Sequence, residues 1–188
     1  MDFQEDIEQC LATLKKGGLI VYPTDTIWGI GCDATNPDAV ARIYALKQRA
    51  ESKSMIVLVA DEKDVLRYTA GVDLGLFDYL KTVEKPTTVV YEGAIGLASN
   101  LLAEDGSVGI RIVREPFCRH LVKRLRKPLV STSANVSGRP APGWFGEIGE
   151  SIRQNVDYVV KFRQEDATER APSAVVRWRN NGVEVIRQ

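Results

Sequence analysis

The sequence predicts a single α/β domain, a twisted mixed sheet flanked by helices. Three observations carry that prediction. Apolar runs of strand length alternate with segments that carry apolar residues at helical spacing. Several strand-like runs follow one another with no helix between them, which breaks a plain βαβ series. Finally, 188 residues without a linker or a low-complexity stretch suit one domain, 1–188, with enough length to bury its own core.

Residues 3–16 place Ile7, Cys10, Leu11 and Leu14 on one helical face, and Gly17-Gly18 supplies the stop. Leu19, Ile20, Val21 and Tyr22 read as a buried strand closed by Pro23. Asn36-Pro37 is a cap and first-turn pair for a helix carrying Val40, Ile43 and Tyr44 on one side. A second buried strand is expected at 55–59, then helices over about 62–69 and 73–83. Strands are expected at 87–91, 108–113 and 129–131, with Phe117, Leu121, Val122 and Leu125 making an amphipathic helix between the last two. After a Gly/Pro-rich stretch at 138–143 come a short helix and strands near 158–160, 174–178 and 183–186.

Composition argues against several classes of function. With 25 basic and 25 acidic residues, the chain has no global pull on nucleic acid or anionic membrane. Cys10, Cys32 and Cys118 form no C-x-x-C pair and read as reduced thiols rather than a disulfide framework or zinc site. A single histidine, His120, argues against a His-based metal cluster and a Ser-His-Asp hydrolase. No apolar run reaches the ~20 residues that span a bilayer. The start, Met1 to Asp6, is acidic where a signal peptide is basic. A soluble, cytoplasmic chain is expected.

Four polar clusters stand beside strand-like runs, where loops at strand ends build sites. Residues 23–29, Pro-Thr-Asp-Thr-Ile-Trp-Gly, read either as a turn or as a binding loop. Lys47 and Arg49, with Lys53 close behind, read either as cations at a fraying helix end or as a set aimed at phosphate. Arg111 interrupts an apolar strand and needs a carboxylate, from the protein or from a substrate, because an unpaired buried guanidinium is costly. Residues 131–138, Ser-Thr-Ser-Ala-Asn-Val-Ser-Gly, offer small polar side chains that either cap a turn or bind phosphate and ribose. No G-x-x-x-x-G-K-[ST] loop is present, and no G-x-G-x-x-G opens a helix.

Taken in order, these clusters resemble the YrdC-like family of threonylcarbamoyl-AMP synthases in its short form. The family's P-T-[DE]-T-x-[WY]-G, K-x-R, P-x-T, G-x-R, S-x-S-A-N-x-S-G and [ST]-x-[VI]-[VI] motifs correspond to Pro23 through Gly29, Lys47 and Arg49 with Lys53, Pro86 through Thr88, Gly109 through Arg111, Ser131 through Gly138, and Ser173 through Val176. The likeness spans nearly the whole chain. Ala50, Ser54, Lys85 and Val113 depart from residues usual in the family, all at positions of backbone shape.

The resemblance implies a mixed sheet curved around a large concave cavity. It implies formation of threonylcarbamoyl-AMP and pyrophosphate from L-threonine, bicarbonate or CO2 and ATP, a nucleotidyl transfer. Downstream tRNA-modification proteins would take the product. Lys47, Arg49, Lys53, Ser131, Ser133, Asn135 and Arg187 are then expected to hold ATP, and Thr26, Thr88, Arg111 and Ser173 to hold threonine. Mg2+ would ride on the ATP phosphates without a protein-built metal site. Two other readings stay open: a paralogue of the same fold with another substrate, and a non-catalytic RNA-binding module. The second rests on Arg119, His120, Lys123, Arg124, Arg126 and Lys127, of which Arg119, Lys123, Arg124 and Lys127 are expected to give at most weak tRNA binding.

Overall fold

The computed structural model describes residues 3–49, 55–179 and 182–188. Helix α1 (Gln4–Lys15) buries Ile7, Cys10, Leu11 and Leu14 and leads through Gly17 and Gly18 into β1 (Ile20–Tyr22). Strand β2 (Gly29–Gly31) folds straight back on β1. Helix α2 (Pro37–Lys47) starts where the Asn36 side chain accepts hydrogen bonds from the Asp38 and Ala39 amides, with Pro37 in the first turn. It ends at Gln48, which takes a left-handed conformation with φ 49°.

Strand β3 (Ile56–Val59), helices α3 (Glu62–Tyr68) and α4 (Gly75–Thr82), and strands β4 (Thr87–Tyr91) and β5 (Val108–Ile112) follow. Helix α5 (Pro116–Leu125) is capped by Glu115 and buries Phe117, Leu121, Val122 and Leu125 against α1 and β3. The chain closes with β6 (Leu129–Ser133), α6 (Glu150–Arg153), β7 (Tyr158–Val159), β8 (Ala174–Arg179) and β9 (Gly182–Arg187).

Among the described residues the strands form one sheet in the order β7-β1-β2-β6-β3-β5-β4-β8-β9. It is mixed, as expected: β1/β7, β3/β5 and β4/β8 are parallel pairs and the rest antiparallel. The expected helices and strands are all present to within a few residues; β2 is an addition, of which the sequence reading covers only Gly29, as the end of the 23–29 turn or loop. Its short Gly-Ile-Gly sequence carries little strand signal, and pairing to Tyr22 on one side and Ser133 on the other decides it. A side chain at Gly31 would place its Cβ 2.6 Å from the Val130 carbonyl oxygen and 2.7 Å from the Tyr22 ring, so only glycine fits.

The core is contiguous and runs along the sheet from Ile20 and Ile30 through Val57 and Leu58 to Val89 and Ile110. No described helix is long and apolar enough to cross a membrane.

Candidate active site

Four stretches distant in sequence meet at one cavity of about 580 Å3. The first is the turn joining β1 to β2. Within it the Thr24 hydroxyl donates to the Ile27 carbonyl at 2.8 Å and accepts the Thr26 amide at 2.9 Å. With its single proton committed, the 2.9 Å contact between the two hydroxyls must be donated by Thr26. Thr26 therefore turns acceptor lone pairs, not a proton, toward the cavity it lines. The Arg163 guanidinium donates to the Thr24 carbonyl at 3.1 Å and steadies the turn from behind.

The second stretch is the pair β4/β5. Their register sets Val89 opposite Ile110, and one and two steps further along it bring Thr88 level with Arg111 and Thr87 level with Ile112. Alternation then sends Thr88 and Arg111 into this cavity, while Thr87 and Ile112 face a separate cavity of about 630 Å3. Arg111 is 3% exposed and meets the carboxylate it requires: Asp25 Oδ1 lies 3.0 Å away. The two are not aligned as a hydrogen bond, so Asp25 Oδ1 and Arg111 Nε both remain buried without a hydrogen-bond partner. The Thr88 and Ser173 hydroxyls bond one another at 2.9 Å, and Arg187 donates to the Ser173 carbonyl at 3.0 Å.

The third stretch is the C-terminal end of α2. Lys47 is fully buried, and its amine donates to the carbonyls of Ser133 at 2.5 Å and Asn135 at 2.6 Å. Its carbonyl in turn accepts the Ser137 amide at 2.8 Å. Burial, aided by the nearby Arg49 charge, lowers the Lys47 pKa to about 8. Burial likewise lowers that of Arg49, which lines the cavity.

The fourth is the end of β6 with the loop after it. Ser131 and Ser133 line the cavity, whereas the Asn135 amide donates back to the Arg139 carbonyl at 2.7 Å and to the Val136 carbonyl.

Of the residues expected to hold substrates, Thr26, Arg49, Thr88, Arg111, Ser131, Ser133, Ser173 and Arg187 share one cavity wall. Lys47 and Asn135 stand behind that wall, tying the Ser133–Asn135 backbone to α2. Lys53, Ala50 and Ser54 lie outside the described residues. Of the other two departures from the family pattern, Lys85 and Val113, both line the 630 Å3 cavity instead.

Sequence reasoning missed Arg177 and Asp105 on the wall. Arg177 could have been found by the signal that marked Arg111, an arginine within an apolar strand; its Nε is also buried without a partner. Asp105 lies in a loop with no such pattern. Among the described residues the lining thus holds four arginines (49, 111, 177 and 187) against one carboxylate, Asp105. No described group of three His, Cys, Asp or Glu side chains is placed to hold a metal ion.

None of the basic residues at 119–127 lines this cavity. Arg124 pairs with Glu8 at 2.7 Å and Lys127 with Asp33 at 2.5 Å, so part of the run is neutralised by the fold itself.

Comparison with known proteins agrees with this architecture. The family model Sua5_yciO_yrdC, described as "Telomere recombination", matches residues 12–188. The threonylcarbamoyl-AMP synthase of Halorhodospira halophila is 30% identical over 161 residues, covering 84% of this chain and 83% of that protein. P. abyssi Sua5 complexed with L-threonine matches with a TM-score of 0.87 at 19% identity over 100% of this chain, which spans 54% of that one. E. coli YciO matches with a TM-score of 0.84 at 24% identity, over 98% of this chain and 89% of its own. The two solved structures establish the fold, and the family model with the sequence relative establishes membership: the chain belongs to the Sua5/YciO/YrdC family.

Proposed function

We propose that this chain is an L-threonylcarbamoyladenylate synthase, a nucleotidyltransferase joining L-threonine, bicarbonate or CO2 and ATP into threonylcarbamoyl-AMP with release of pyrophosphate. The observation that carries the reading is the arginine-rich cavity, in which two buried guanidinium Nε groups lack hydrogen-bond partners. Such donors fit a ligand with several anionic groups, which a triphosphate and an amino-acid carboxylate supply together. The names of the relatives agree with it.

In this reading Arg111 receives the threonine carboxylate, and the Thr26 lone pairs accept from its polar groups. The threonine ammonium first releases a proton to solvent; the free amine then captures CO2 with loss of a second proton to give an N-carboxylate, which attacks the α-phosphorus of ATP and expels pyrophosphate. Arg49 and Arg187 neutralise charge on the phosphates, with Ser131 and Ser133 donating beside them. Lys47 acts one step back, holding the loop that presents Ser133. Positioning and charge neutralisation account for catalysis, because threonine itself supplies the nucleophile and the released protons pass to solvent. Mg2+, carried on the ATP phosphates, would supply further charge neutralisation there. The product would pass to tRNA-modification proteins. The test is pyrophosphate release by purified protein: the reading requires that it depend on threonine and bicarbonate together.

A further inference from the structure

We infer that Asp25 is the binding partner of the substrate's ammonium group, and that it reaches this role by giving up Arg111 to the substrate's carboxylate. The inference rests on the threonine reading above and adds a residue to it.

Three features of the site lead there. First, among the described residues Asp25 is the carboxylate paired with Arg111, at 3.0 Å. An amino acid that places its own carboxylate on Arg111 must compete with Asp25 for the same guanidinium. Second, covalent geometry fixes how near the ammonium then lies. In an α-amino acid the nitrogen sits about 2.5 Å from the carboxylate carbon, two bonds away through Cα. With its carboxylate on Arg111 and its Cα turned toward Asp25, the substrate brings its ammonium within hydrogen-bonding range of the group it displaces. Third, Asp25 is prepared to accept. Its Oδ1 is buried and has no hydrogen-bond partner, and the neighbouring Thr26 hydroxyl offers lone pairs because its proton is committed to Thr24.

Among the described residues Arg111 is the cation within ion-pair distance of this carboxylate. Arg163, on the far side of the turn, is engaged by the Thr24 carbonyl, Glu115 and Asp166. Cys118, packed beneath, is neutral: burial raises its pKa well above the ordinary thiol value, and its Sγ donates to the Pro23 carbonyl. Asp25 lines the 630 Å3 cavity and its partner Arg111 the 580 Å3 one, so their ion pair stands between the two cavities. The pairing with Arg111 keeps both charges compensated until the substrate, carrying one charge of each sign, replaces a single ion pair by two.

The test compares L-threonine with its analogue 3-hydroxybutanoate, which keeps the carboxylate and the side-chain hydroxyl and has hydrogen in place of the ammonium. Binding to wild type and to Asp25→Asn is measured by calorimetry, with a thermal melt to check folding. Wild type is expected to bind threonine more tightly than the analogue by at least about tenfold, the scale of a desolvated charge pair. In D25N threonine affinity should fall to the level of the analogue. The analogue should bind as well as before or better, because Asp25 no longer competes for Arg111.

If Asp25 serves only to hold Arg111 in place, D25N weakens both ligands equally, and the assignment is overturned. Should D25N fail to fold, equal affinity of the two ligands for wild type overturns it just as well. If wild type binds no threonine at all, the synthase reading falls and takes this role with it. Threonine binding without discrimination against the analogue removes Asp25 alone.

Discussion

Replacing Arg111 by methionine keeps the aliphatic stem and removes the guanidinium. At 3.0 Å from Asp25, and with the effective dielectric constant of about 20 that suits protein sites, the gross attraction is about 5–6 kcal/mol. Desolvation of both ions opposes it, so the pair adds little compared with a well-packed apolar pair. Removing one partner is different: it strands Asp25, whose side chain is 14% exposed, as an uncompensated charge at a cost of about 3–5 kcal/mol. Against a typical domain stability of about 5–15 kcal/mol, Arg111→Met should fold but unfold at clearly lower urea. Threonine binding should weaken by about 2–5 kcal/mol, with ATP binding much less affected. The double variant Arg111→Met with Asp25→Asn separates the two roles. It should regain most of the lost stability, because neither partner is left charged, and regain none of the threonine affinity. Urea titration and calorimetry read both quantities. Unchanged threonine affinity in a folded Arg111→Met protein would refute the assignment of Arg111 to the substrate.

Lys47→Met should lower stability by about 1–3 kcal/mol by leaving the part-buried carbonyls of Ser133 and Asn135 without this donor, and should weaken ATP binding through the loosened loop; a loss of ATP binding with no loss of stability would put Lys47 on the nucleotide directly. The same residue predicts a pH effect. The unfolded amine keeps its proton up to about 10.5 whereas the folded one releases it near 8, so between these values the unfolded state holds more protons and stability rises with pH. The difference in unfolding free energy between wild type and Lys47→Met should therefore grow in favour of wild type from pH 7 to 9.5, on the order of 2 kcal/mol. Truncating Lys123, Arg124 and Lys127 together to alanine should leave pyrophosphate release intact, since none of them reaches the cavity, while any weak tRNA binding measured at low salt disappears.

Much of the architecture was legible because local signals and the tertiary structure agree. The Asn36-Pro37 cap, the 3.6-residue spacing in α1 and α5, and the apolar runs of β3, β4 and β5 all specify in sequence what the fold then uses. Strand β2 was not legible, because its glycines are selected by the lack of room beside Tyr22 and Val130 rather than by any strand preference. The site divides along the same line. Arg111 announced itself as a charge in an apolar strand, and its need for a carboxylate could be stated before the partner was known.

That the partner is Asp25 could not be read, since only the return of β5 past the β1–β2 turn brings them together. Lys47 shows the opposite limit. Its residue type and place in the motif point to phosphate, and only the packing of α2 against the loop after β6 reveals the backbone carbonyls it holds.

The central claim is that this cavity builds an adenylate from three substrates, and the most direct measurement follows the carbon that comes from bicarbonate. Purified protein is incubated with ATP, Mg2+, L-threonine and 13C-bicarbonate, and the products are resolved by mass spectrometry alongside a pyrophosphate assay. The account predicts threonylcarbamoyl-AMP one mass unit heavier than with ordinary bicarbonate, formed in step with pyrophosphate and absent when threonine is omitted. Pyrophosphate without a labelled adenylate, or no turnover from folded protein that binds both ATP and threonine, would contradict it.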